Sequence, residues 1–397
     1  MAHVNPASVG PSDTPDPQVP AGYFDAASTL PLRASARQAL LAALDQGFAD
    51  PSRRYHDARR ARTLLDQARE SVAAVVGARP DDVSFATSGT QAAHLAVLGL
   101  AKGRGRVGRR ILVSAVEHSA VMHAANASPD AVTETIPVDA YARVTRQSVD
   151  EAVAPGDVAL VAIQSANHEV GTRQPIDEIG QTLAPHNIPL VMDAAQTLGR
   201  DDVPTGWNIL TGSAHKWGGP AGVGLLVIRQ GTRWRSPLPE DLHEGGRIPG
   251  FVAIPQIVAA AVALQEAESE RHEESDRLRR LTMRLRNELP TLIPDSVVLG
   301  HPDDRLPHLV TLSVAYVPGE AVLAEIDRAG FAVSSGSSCV AESLTPSHVL
   351  VAMGALTQGN IRISLPPRTR ESDVDRFMSI LPAIISSVRE SLGAGDL

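Results

Sequence analysis

Lys216 is the natural place to begin, because lysine is almost absent from this chain. Of the 36 Lys and Arg residues, only Lys102 and Lys216 are lysines. Arginine stays protonated and cannot form an imine, so any Schiff-base chemistry has two candidates. Lys102 lies in AKGRGRVGRR, a Gly- and Arg-rich segment that reads as an exposed loop. Lys216 lies in TGSAHKWGGPAGVGLLVIR, with Ser213 and His215 beside it and an apolar run after it. A strand-entry turn would explain the glycines. An amine kept in a dry setting would explain the lysine.

Five other segments carry groups that could work with such an amine. In DAAQ, Asp193 follows the apolar run IPLVM, and ligands of open α/β sheets gather beyond the carboxyl ends of strands. A carboxylate there can keep a pyridine nitrogen protonated, and Gln196 is close enough in sequence to orient a ring; the plain alternative is a helix cap. In SFATSGTQAAHLA, Ser88, Gly89, Thr90 and Gln91 form a strand–turn–helix junction. Its N–H groups and hydroxyls would suit a phosphate, although Ser and Thr also simply cap helices. His118 in VEHSAVMHAA opens a helix, where it would stack on a flat ring or serve structure alone. Cys339, the single cysteine, sits among small polar residues in FAVSSGSSCVAESL. An accessible thiol in such a loop suits a nucleophile or sulfur carrier better than a core position. Arg362 in NIRISLPPRT is costly to bury unpaired, so it needs either an internal carboxylate or a substrate carboxylate.

The elements that would position these groups alternate. Helical spacing is predicted over 35–45, 56–76, 91–100 and 176–183, and apolar strands over 83–86, 110–114, 158–163, 189–193, 209–212 and 223–228. Short buried strands between helices imply an α/β unit with a mainly parallel sheet. From residue 252 the pattern changes to long helices over 252–292. Strand-like HLVTLSV, a helix at 320–329, FAVSS, a helix at 347–353, IRISL and a last helix from residue 371 follow. The division implied is an arm over 1–22, a large domain over 23–251, and a connecting helix with a smaller α+β domain over 252–397, which the first helix after the arm is expected to join.

Composition excludes several classes. The chain has 397 residues and a formal net charge of −9, with no basic run interleaved with aromatics, which argues against nucleic acid. One cysteine excludes an internal disulfide and a Cys-x-x-Cys zinc site, no other metal site is indicated, and a reducing, cytoplasmic setting fits. The first residues do not read as a signal peptide, and no apolar stretch is long enough to span a bilayer.

Taken in order, YFDAASTLP, DPSRRYH, TSGT, EHSAV, NHEVG, DAAQTLGR, SAHKWGGPAGVG, SSGSSC and IRISL resemble the NifS-like cysteine desulfurases of the class V aminotransferase superfamily. The resemblance runs from Tyr23 to the last helix. It implies an aspartate-aminotransferase-like fold, that of pyridoxal-phosphate enzymes of fold type I, with a seven-stranded sheet and a homodimer whose active sites lie near the subunit interface. It implies pyridoxal 5′-phosphate held as a Schiff base by Lys216, its phosphate by Ser213, His215 and the Ser88–Gln91 turn. His118 would stack on the ring, Asp193 would pair with the ring nitrogen, and Gln196 would meet the phenolic oxygen. Arg362 would take the substrate carboxylate, and Cys339 falls where the family forms a persulfide. His118 would be catalytic beside Lys216 and Cys339, and a sulfur-acceptor protein is implied.

The chain also departs from the pattern. Gln91 stands where the family has Thr. His168 replaces the Asn that partners the phenolic oxygen and lies near the substrate. The segment EGGRIPGF is short, and Phe251 replaces a Thr that would reach the other subunit's phosphate. Three readings follow: desulfuration of L-cysteine through Cys339; C–S β-lyase, deaminating or decarboxylating chemistry on an S-substituted cysteine; or an inert scaffold of the same fold.

Overall fold

The computed structural model describes residues 19–336 and 346–393. Among them, ten strands form two sheets. The larger has the order β1-β7-β6-β5-β4-β2-β3, from β1 (Val83–Ala86), β2 (Arg110–Ser114), β3 (Val132–Ile136), β4 (Val158–Ala162), β5 (Leu190–Asp193), β6 (Ile209–Ser213) and β7 (Gly224–Ile228). β7 runs antiparallel to both its neighbours, while β6, β5, β4, β2 and β3 pair in parallel. VALVA in β4 and GLLVI in β7 are buried throughout, as strands covered on both faces must be. β3 is different: VTETI lies at the sheet edge and is mostly exposed, so it carries no apolar run for a sequence reading to find.

Helices cover this sheet. α1 (Ala34–Gln46), α2 (His56–Val76), α3 (Gly89–Arg104), α4 (Ser119–Asn126), α5 (Arg146–Val153) and α6 (Ile176–Leu183) lie between or before its strands. α2 buries Ala58, Ala61, Leu65, Ala68, Val72 and Val76, a three-and-four spacing that keeps one stripe on the core. It ends at Gly77, whose φ of 64° is the left-handed cap that a glycine adopts without strain.

The smaller sheet has the order β10-β9-β8 and is antiparallel, from β8 (Ser296–Leu299), β9 (Leu309–Val314) and β10 (Asn360–Ser364). α8 (Gly319–Arg328), α9 (His348–Ala352) and α10 (Glu371–Ser391) accompany it. FAVSS makes no strand: Ala332 and Ser334 form isolated bridges, to Tyr23 and Arg362. α7 (Ile254–Leu292) serves both halves. Its Ile257, Ala260 and Leu264 enter the core under the large sheet, and Leu278, Leu285 and Leu289 enter the core under the small one. α1 packs Ala36 into the larger core, whereas the preceding Phe24 packs into the smaller core and Asp25 bridges Ser364. No helix among the described residues is long and apolar enough to cross a membrane.

Six strands, β1 to β6, point the same way, so their carboxyl ends open on one edge. That edge faces β10.

Candidate active site

A cavity of about 310 Å³ lies at this edge. The large sheet supplies most of its wall. Ser88, just after β1, caps α3 by accepting a hydrogen bond from the Gln91 N–H at 3.0 Å. The first turn of a helix leaves its N–H groups outside the helical ladder, and those of Gly89 and Thr90 belong to that turn. The turn is packed tightly from behind: a Cβ on Gly89 would lie 2.7 Å from the Ser213 Cβ, and one on Gly224 would lie 2.1 Å from the Ser88 carbonyl oxygen. Glycine at these two places lets β1, β6 and β7 converge.

Asp193 ends β5 and keeps its carboxylate fixed by accepting from the Ala195 N–H at 2.9 Å. Ser213 ends β6, and the short turn after it carries His215 and Lys216. Burial pushes the Lys216 amine down to about 8, helped by Arg200 and Arg362 and opposed by Asp193. Burial also holds His215 below its usual range.

Two imidazoles meet on the neighbouring wall. His118 and His168 pack edge to face with centroids 5.3 Å apart. The His118 Nδ1 accepts from the Ala120 N–H at 3.1 Å, so its proton sits on Nε2. Gln164 donates its amide to the Val116 carbonyl and turns its Oε1 toward His168 Nδ1 at 3.3 Å. A protonated Nδ1 satisfies that contact, which leaves Nε2 of His168 as a lone pair, buried without a partner. Burial lowers both imidazoles, His168 well below its ordinary value, so both are neutral at pH 7.

The small sheet and the segment before α1 close the cavity. Arg362 is buried and donates to the His168 carbonyl at 2.9 Å, to Asp25 at 2.8 Å and to the Ser28 hydroxyl at 2.7 Å. Its Nε is buried with no partner. Ser334 and Gly336 complete this side.

The structure thus brings Ser88, Gly89, Thr90, His118, His168, Asp193, Gln196, Ser213, His215, Lys216 and Arg362 to one cavity. Gln91 does not line it. Its side-chain oxygen turns back to accept from the N–H and hydroxyl of Thr87, at 2.8 and 3.0 Å. Gln196 lines the cavity with both ends of its amide engaged, by the Ala27 carbonyl and by Arg200. Cys339 lies outside the described residues. Phe251 is exposed and away from the lining. Sequence reasoning gave no role to Asp25, Ser28 or Arg200, although all three stand inside quoted motifs. The acid and the serine in YFDAASTLP are themselves partners of Arg362, and the need of that arginine for an internal carboxylate was the available signal.

The comparisons agree on what this arrangement is. The aminotransferase class-V family model matches residues 22–377. The chain belongs to that family, in its cysteine desulfurase branch. Cysteine desulfurase IscS 1 of Archaeoglobus fulgidus is 34% identical over 92% of this chain and 97% of its own. A solved NifS-like protein superposes with a TM-score of 0.85 at 27% identity, covering 92% of this chain and 99% of that one. Another, SspA in complex with cysteine, gives a TM-score of 0.76 at 27% identity, covering 88% and 100%.

The cofactor of this family is pyridoxal phosphate, and the cavity fits it. A helix N-terminus beside Ser88 and Ser213 offers an anion site at one end. A carboxylate stands at the end of β5, and an amine held down to about 8 by burial stands on the floor. The unpartnered Nε of Arg362 and Nε2 of His168 remain to be satisfied by something that enters.

Proposed function

We propose that this chain cleaves the C–S bond of L-cysteine with pyridoxal phosphate, releasing alanine and leaving the sulfur as a persulfide on Cys339. The observation that carries the proposal is the convergence of Lys216, Asp193 and Arg362 on a single cavity whose lining includes Gly336. Cys339 follows three residues later, and three residues of chain reach at most about 11 Å. The solved relative SspA, in complex with cysteine, supports the substrate.

Bound here, pyridoxal phosphate supplies an aldehyde for amines and a ring that takes up an electron pair. The chain's residues divide the remaining work. Lys216 would hold the aldehyde, and its amine, depressed to about 8, would be basic enough to take the substrate's Cα proton and neutral often enough to do so. Asp193, fixed by the Ala195 N–H, pairs with the ring nitrogen. His118, in the cavity lining, would face the ring. The Gly89 and Thr90 N–H groups, with Ser88, Ser213 and His215, take the phosphate. Gln196 spends its oxygen on Arg200 and one amide hydrogen on the Ala27 carbonyl, and would keep its second amide hydrogen for the phenolic oxygen, with His168 beside it in the lining. Arg362, already aimed by Asp25 and Ser28, receives the substrate carboxylate. The Cys339 thiolate attacks the substrate sulfur; the S–Cβ electron pair stays with the carbon skeleton, which is protonated and leaves as alanine.

The working unit we propose is a homodimer in a reducing, cytoplasmic setting, handing sulfur to an acceptor protein. Leu41, Leu44, Phe48 and Tyr55, on α1 and the loop after it, are 49, 50, 67 and 54% exposed, an apolar surface that a second copy would cover.

The deciding experiment is Cys339→Ala with product analysis. A desulfurase loses nearly all sulfide and alanine formation while its visible cofactor band is intact. Continued turnover, with pyruvate in place of alanine, would instead establish a β-lyase. A purified protein without any visible band would leave only a scaffold.

A further inference from the structure

Arg200 is a buried cation whose hydrogen bonds all go to neutral groups. Among the described residues it forms no ion pair, and all four of its contacts are to neutral atoms. It donates to the Ala26 and Lys216 carbonyls at 2.5 Å each, to the Gln196 Oε1 at 3.2 Å and to the His308 Nε2 at 2.6 Å. The His308 ring is itself neutral: burial holds it well below its usual range, and as an acceptor at Nε2 it carries its proton on Nδ1, which is buried without a partner. Burying a charge whose direct partners are all dipoles is expensive: burial, then Arg362, pulls this guanidinium down to about 9, with Tyr23 and Asp25 opposing, and a purely structural tie at this position needs no charge.

The placement suggests what the charge does. Three pieces of the cavity meet at this one guanidinium: the strip that includes Ala26, the end of the β5 motif at Gln196, and the turn that carries Lys216. We propose that Arg200 is a positioning residue: its one guanidinium ties the Lys216 turn, Gln196 and the Ala26 strip in register and sets a positive charge beneath the cavity. Other groups facing the Lys216 amine are Asp193 and Asp25, which favour its charged form, and Arg362, His118, His168 and His215, which do not. Burial is the largest influence, and Arg200 is the first of the cations. The neutral amine is the form that reacts with an aldehyde and the form that accepts a proton, so its population at working pH bears directly on rate.

The chain's two lysines make a clean test. In full-length protein stripped of cofactor, competitive acetylation with acetic anhydride is followed by mass spectrometry across pH 6–11. Lys102, exposed and on a different face, is the internal reference. Lys216 of the natural chain titrates near 8. Arg200→Met raises that midpoint by about one pH unit, and Arg200→Lys, which keeps the charge and loses the fork, leaves it within about 0.3. In the holoenzyme the pH midpoint of the visible band moves in the same direction for Arg200→Met. Should Arg200→Met not fold, Arg200→Gln is measured in its place. A lone structural role lowers the melting temperature of both variants and moves neither midpoint. That result overturns the proposal, as does a natural chain whose Lys216 titrates with Lys102, or a lysine variant that shifts as far as the methionine one. The inference rests on Lys216 as the cofactor-binding amine only in its holoenzyme arm. The acetylation arm stands without it, so failure of the one is distinguishable from failure of the other.

Discussion

The cavity has two walls, and they handle charge in opposite ways. On the wall built from the large sheet, burial suppresses ionisation: it drives His118, His168 and Lys216 toward their neutral forms, and it raises Glu117 behind them well above the ordinary carboxylate range. On the wall built from the small sheet, Arg362 is paired with Asp25 and braced by Ser28, so a charge is kept and aimed. A dry wall of neutral nucleophiles and bases suits carbonyl and proton chemistry. A charged wall suits recognition of a carboxylate. The difference suggests that the large sheet governs what happens at the reacting bonds and the small sheet governs which molecule arrives.

Breaking the first wall at its centre has the largest expected effect. Lys216→Ala removes the amine proposed to take the Cα proton, and turnover is expected to fall by roughly 10⁴-fold, the upper range for loss of one positioned proton acceptor. The visible band of the lysine-linked cofactor vanishes with it. Full activity in this variant would remove the amine from the mechanism and leave the comparison of walls without its main support. Asp193→Asn is a milder break, because an amide oxygen can still accept from the Ala195 N–H while the charge is gone. Turnover drops by about 10²-fold or more. A drop in melting temperature with turnover intact would assign Asp193 to capping alone.

The second wall is sharpened by Arg362→Lys. Lysine keeps a positive charge but not the fork that spans Asp25, Ser28 and the His168 carbonyl. Loss of one charge-assisted hydrogen bond to substrate corresponds to roughly a 10- to 100-fold rise in KM, with kcat less affected. The reverse pattern, a fall in kcat at constant KM, would move Arg362 from recognition to the reacting centre and erase the distinction between the walls.

Much of this layout is legible in the amino-acid order. β1 and β2, α2 and α6 fall where apolar periodicity places them, because each buries a regular face. β3 and β8 escape notice for the opposite reason: VTETI and the half-exposed SVVL owe their conformation to a neighbouring strand more than to burial. The site divides similarly. Lys216, Asp193 and Arg362 stand out because each is an expensive residue in an apolar run. Arg200 does not, since its partners Ala26 and His308 lie 174 and 108 residues away and only the fold brings them together. Gln91 misleads for a local reason: its amide satisfies Thr87 one turn back, a bond that spacing alone does not distinguish from a turn open to phosphate.

The smallest effect probes how dry the first wall is. Glu117 is fully buried; one carboxylate oxygen accepts from the Gln164 N–H at 2.6 Å and the other has no partner. Burial raises this carboxyl, and the nearby Asp193 adds to the effect. A folded-state pKa above the unfolded value of 4.5 means that the native chain holds an extra proton between the two. The resulting stability is present in full below 4.5 and is lost as pH rises through the folded value. Glu117→Gln keeps an acceptor for Gln164 and cannot ionise, so it has no such slope. The melting temperature of the natural chain should therefore fall relative to that of the variant between pH 5 and pH 8, by about 2 °C for a chain of this size. A constant gap across that range would mean that water reaches Glu117, and that the wall in front of it is not the low-dielectric surface on which the neutral histidines and lysine depend.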